Sequence, residues 1–213
     1  MNSNVRNSML SVAGLIMAGG GIAGPALAAQ ATPAEKAAAA LVSEKGRGAH
    51  RVGHEYQAQP NFYYCGPAST RIALSAAGKA VSQDELAEKL GTTEAGTDSA
   101  LDITRVLNEY TGGTYKTTEI SADVASDEQV ERLRADVLAA VDADRPVVAN
   151  IRGSALDVDG VTHSYAGHYL TVVEYKDDGE TVRIADPGAP DAPEYWMGIA
   201  ELANWIAGRG YSS

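Results

Sequence analysis

Hydrophobic residues in this 213-residue chain change their spacing at Pro146, and that change restricts the fold more than any other feature. Before it, apolar side chains recur three and four positions apart, the repeat of one helix face. Ala68, Ile72 and Ala76 form one such stripe, Leu86 and Leu90 a second, and Ile103, Val106, Leu107 and Tyr110 a third. Val130, Leu133, Val137, Leu138 and Val141 form a fourth. After Pro146 the apolar runs become short and rich in β-branched residues: 147–151, 169–175 and 181–185, the last two separated by the turn sequence Asp177-Asp178-Gly179. Thr117 and its neighbours, from Tyr115 to Ile120, suggest a further strand, and Ile199, Leu202 and Ile206 a last helix. Helices followed by strands predict an α+β fold rather than alternating βαβ units.

Local signals place the helix ends. Cys65-Gly66-Pro67 opens the first helix, because proline is tolerated where a backbone N–H has no helical partner anyway. Ser82 with Glu85 and Ser126 with Gln129 have the capping-box spacing, and Gly91 and Gly112 stand where helices two and three stop. Upstream, from His50 on, Val52, His54 and Tyr56 alternate as in a short strand that ends at Pro60.

The first 28 residues hold no Asp or Glu, carry Arg6, run through the apolar stretch from Met9 to Ala18, and close on Ala26-Leu27-Ala28. That is the pattern of a signal peptide over 1–28, with too short an apolar run for the ~20 residues of a spanning helix. Residues 29–50 read as an Ala-rich linker or pro-segment, and 51–213 as the folded domain. A secreted, extracellular protein is expected. Its formal charge of −11 disfavours binding to nucleic-acid phosphates or to an anionic membrane surface.

One cysteine excludes a disulfide scaffold and makes Cys65 the residue to explain. A helix start favours an anion, so a thiolate there is a candidate nucleophile; the plainer alternative is a small buried side chain. Of His50, His54, His163 and His168, the last is best placed as proton partner, since it directly precedes a buried strand, whereas His163 sits in a Gly160–Gly167 loop. Asp186 ends the next strand. An even pairing register puts it on the face of His168, and an odd register puts it on the other. Gln59, six positions before the thiol, has the amide to support an oxyanion. This chemistry requires no metal or cofactor. His50 and His54 lack companion ligands, and Asp157-Val158-Asp159-Gly160 lacks the other positions of a calcium loop and reads as a turn. Phe62, Tyr63 and Tyr64 suit a cleft wall or the core equally, and residues 152–167, with three glycines, are a candidate lid.

The string Gln59-Pro60-Asn61-Phe62-Tyr63-Tyr64-Cys65-Gly66-Pro67-Ala68-Ser69, followed by Gly167-His168-Tyr169 and Ala185-Asp186-Pro187, resembles the papain-like cysteine peptidases of the bacteriocin-processing (double-glycine leader) family, in their stand-alone secreted form. The resemblance implies a papain-like α+β fold, a helical half with the nucleophile at a helix N-terminus packed on an antiparallel sheet. It further implies Cys65 as nucleophile, His168 as base, Asp186 as its orienter and Gln59 in the oxyanion hole, acting on a peptide or protein substrate. Tyr64 departs from the acidic residue that exporter-fused members carry before the nucleophile. The rival expectations are a secreted binding or inhibitory module on the same fold, and a deamidase or acyltransferase using the same thiol.

Overall fold

The computed structural model describes residues 48–213, so the leader assigned to 1–28 and all but the last three residues of the 29–50 segment lie outside the described residues. Helices α1 (Cys65–Ala76), α2 (Gln83–Leu90), α3 (Ala100–Thr111) and α4 (Asp127–Val141) precede the main strands, and α5 (Ile199–Ile206) falls near the C-terminal end. Their ends follow the local chemistry. Around α4 the capping box is complete, with Gln129 N–H donating to Ser126 Oγ and Ser126 N–H donating to Gln129 Oε1. At α2 only half of the box forms: Ser82 Oγ accepts from Glu85 N–H, but the Glu85 carboxylate takes the Tyr110 hydroxyl instead, at 2.6 Å. Gly91 and Gly112 close α2 and α3 with φ of 65° and 81°, a region where a Cβ is strained.

The strands are β1 (His50–Arg51), β2 (Thr117–Ile120), β3 (Val147–Leu156), β4 (Thr162–Lys176), β5 (Thr181–Ala185), β6 (Glu194–Gly198) and β7 (Arg209–Ser212). They form one antiparallel sheet in the order β2-β7-β3-β4-β5-β6, with β1 pairing the far end of β4. Three expectations need correction. The upstream strand does start at His50 but does not reach Pro60: pairing stops at Arg51, and Val52 adds one backbone bond to Val173 O before the chain leaves the sheet. The alternation at 52–56 records which side chains are covered, because Val52 is buried while Gly53 and Glu55 are exposed. Residues 152–167 are not a loop lid: β3 and β4 extend past the sheet as a two-stranded arm whose tip is the Asp157 turn. His163 therefore lies on a strand. β6 and β7, which periodicity did not identify, complete the sheet.

Helices cover both faces. Ile72 of α1 packs on Val173 and Ala185, and Cys65 and Ala73 join Leu86, Ile103 and Leu107 of α2 and α3 against Val148 and Tyr169. On the opposite face, Leu133 and Val137 of α4 and Leu202 and Ile206 of α5 bury Val147, Ala149, Leu170, Val172 and Ile184. Neighbouring strand residues thus point into different cores, which explains the continuous apolar runs of β3 and β4.

Candidate active site

Cys65 is the first residue of α1 and lies at the floor of a cleft of about 380 Å³, which Phe62, Tyr63, Thr97, Asn150 and His168 also line. The close approach of the 93–97 turn depends on Gly66, where a Cβ would collide with the Thr97 side chain. Phe62 is 80% exposed at the cleft, so it is wall rather than core; Tyr64 turns away and donates to Asp84.

His168 meets Asp186 through a contact of 2.7 Å between Nε2 and Oδ1, with both side chains buried. Strand register brings them together. Thr171 pairs with Ala185 and Val172 with Ile184, an even register that sets Asp186 on the face of His168. Nearer the turn Glu174 pairs with Arg183, an odd register, and a β-bulge at Val173 separates the two. Carried through from the turn, the odd register would have aimed Asp186 at the opposite face.

Asp186 accepts two further donors on Oδ2, the hydroxyls of Tyr165 and Tyr195, each at 2.9 Å, and one more on Oδ1, the Gly188 N–H at 2.8 Å. Burial by itself would raise its pKa, but His168, the Gly188 N–H and the Tyr165 hydroxyl hold the carboxyl below its ordinary value, ionised. Burial pulls the imidazole down; hydrogen bonds to Asp186 and Cys65, together with their charges, outweigh it and raise His168 from 6.5 to about 9. An ionised carboxylate only accepts, so Nε2 carries the proton toward Asp186 and Nδ1 is left for the thiol. The site thus holds His168 in its protonated form beside Cys65.

Gln59 sits beside this group. Its backbone N–H donates to Pro187 O, its side-chain Nε2 donates to Asn61 O at 2.8 Å, and its Oε1 is buried without a partner among the described residues. Its Nε2 makes no second bond among the described residues, and Gln59 is not among the residues that line the Cys65 cleft. The other histidines are elsewhere: His163 bonds Asp157, His54 bonds Glu194 and Val52 O, and His50 bonds Asp144. No group of three or more His, Cys, Asp or Glu suited to a metal occurs among the described residues. The two tyrosines on Asp186 carried no sequence signal, since one is brought in by the β3–β4 arm and the other by the unexpected strand β6.

A thiol at a helix start in one layer, facing a His–Asp pair on an antiparallel sheet, defines the class of papain-like cysteine peptidases. Residues 52–212 match the model of the Peptidase_C39 like family, and the chain belongs to that family; it is a cysteine peptidase, a hydrolase of peptide bonds. Its fold is similar to that of a C39-like peptidase from Bacillus anthracis, at 14% identity and a TM-score of 0.54 over 78% of this chain and 96% of that one. It is also similar to the peptidase domain of Streptococcus ComA, a bifunctional ABC transporter involved in a quorum-sensing pathway, at 20% identity and a TM-score of 0.50 over 75% and 96%. A search of curated proteins gave no match.

Proposed function

We propose that the protein is an exported peptidase that cleaves peptide or protein substrates through a Cys65–His168–Asp186 triad. The Cys65 thiolate attacks the scissile carbonyl carbon, and the Cys65 backbone N–H with an Nε2 proton of Gln59 stabilises the oxyanion. The His168 imidazolium gives its proton to the leaving amine as the C–N bond breaks, leaving a thioester on Cys65. Neutral His168 then takes a proton from water, whose oxygen attacks the thioester and regenerates the thiolate. Asp186 holds the imidazole orientation throughout. One observation carries the reading: the buried His168–Asp186 pair at 2.7 Å, with the only thiol acting on the same imidazole. Export is supported by the composition of residues 1–28.

Purified protein incubated with a peptide library, followed by mass spectrometry of the products, tests the triad. Hydrolysis at an internal peptide bond is expected, falling roughly 1,000-fold or more in Cys65→Ala and in His168→Ala. Hydrolysis that survives Cys65→Ala overturns the mechanism, and ammonia release without chain cleavage identifies a deamidase instead.

A further inference from the structure

Asp186 is surrounded by more structure than a triad carboxylate requires. Its Oδ1 already serves His168 and Gly188, yet Oδ2 is filled by two tyrosine hydroxyls from different strands. Burial together with the Asp186 charge keeps both phenols protonated, so each stays a donor.

Tyr165 touches the pair twice. Besides donating to Asp186, its ring stacks on the His168 imidazole, with centroids 4.0 Å apart and planes 12° from parallel. Residues three apart on a regular strand point to opposite faces, so this stack needs an irregularity. β4 supplies one. Ile151 pairs with His168 and Gly153 with Tyr165, leaving Arg152 alone on β3 against both Ala166 and Gly167 on β4. This extra residue turns Tyr165 onto the side of His168. Gly188 borders the same imidazole, since a Cβ there would lie 2.9 Å from His168 Cε1 and 3.2 Å from both Nε2 and the Tyr165 hydroxyl. Tyr195 is braced in the same manner: its ring stacks on His163 with centroids 3.8 Å apart and planes 13° from parallel, and His163 bonds Asp157 at the arm tip.

We propose that Tyr165 and Tyr195 are positioning residues of the peptidase reaction. Their hydroxyls lock the orientation of the Asp186 carboxylate, and the Tyr165 ring fixes the plane of His168 so that Nδ1 stays directed at Cys65. The β3–β4 arm, which supplies Tyr165 and the His163 brace, is therefore part of the catalytic framework. The inference rests on the triad reading above for its kinetic consequence, but the geometry it asserts is measurable without turnover.

The test uses Tyr165→Phe, Tyr195→Phe, their double variant and Tyr165→Leu. The Phe changes delete only hydroxyls, and the Leu change also deletes the stack. A proton of His168 Nε2 donated to a buried carboxylate gives a downfield, slowly exchanging NMR resonance. In the double Phe variant that resonance is expected to move upfield and exchange about tenfold faster, and kcat to fall about tenfold with KM within twofold, the effect of losing two bonds to a charged acceptor. Tyr165→Leu should lower kcat below Tyr165→Phe. Unchanged resonance, exchange and kcat in the double variant overturn the proposal, as does an equal loss in kcat and rise in KM. If the double variant does not fold, Tyr195→Phe alone gives the same two readouts. Failure of the triad reading is separate: hydrolysis retained in Cys65→Ala refutes it whatever the His168 resonance does.

Discussion

In the proposed mechanism, His168 determines how the chemistry depends on pH. Its imidazolium must protonate the leaving amine, and its pKa is raised to about 9 because Asp186 and Cys65 outweigh burial. A raised value keeps the charged form through neutral pH and loses it on the alkaline side, so kcat/KM should fall as pH rises through about 9. Asp186→Asn keeps the shape but removes the charge, leaving burial less opposed; the alkaline limb should then move acidward by about one unit or more. A pH–rate profile checks both, and a limb that stays in place in Asp186→Asn contradicts the assignment. At this scale much could be read directly. A sole thiol beside a helix start stands out in a sequence, and His168 was separable from His163 because it abuts a buried run. Tyr165 and Tyr195 were not, because ten tyrosines look alike until the register selects two.

Elements show where local chemistry is enough and where it fails. Ser126 satisfies the Gln129 N–H, and Gln129 reaches back to the Ser126 N–H, so α4 begins where the four-residue pattern says. Ser126→Ala should cost about 1 kcal/mol of stability, the usual value of a lost N-cap, with kcat unchanged because α4 lies on the face away from α1. Urea unfolding would measure it, and a cost near zero would mean that the box is idle. At α2 the same signature is half used, because Tyr110 of α3 offers the Glu85 carboxylate a hydroxyl that the sequence neighbourhood does not reveal. β7 shows the opposite failure. Arg209-Gly210-Tyr211-Ser212 has no strong alternation, yet it is a strand between β2 and β3, because two neighbours supply its backbone partners. The two bulges of β4 belong here as well: each spends one residue to change which face follows, and neither leaves a mark in periodicity.

Over the whole molecule, the proposed export and the single thiol fit each other. A thiol in an oxidising compartment persists when it is shielded, and Cys65 is only 6% exposed with no second cysteine to pair with. If residues 1–28 direct export as proposed, protein recovered outside the cell should begin at Ala29, or at Thr32 if cleavage follows the small-residue pattern Ala29-Gln30-Ala31 instead. N-terminal sequencing decides it, and a cell-associated chain retaining Met1 refutes it. The α+β class, the helix starts and the identity of the nucleophile candidate were determined by the sequence alone, since spacing, caps and the scarcity of cysteine are local properties of the chain. Tertiary structure alone decided the rest: helices on both faces of the sheet, Asp186 on the face of His168, Gln59 tied to the turn after Asp186, and two tyrosines closing on one carboxylate. The reason is physical. Side chains on a strand alternate with period two, so a one-residue slip between strands far apart in sequence reverses every contact. Only the packed sheet, with its bulges at Ala166–Gly167 and Val173, fixes that slip.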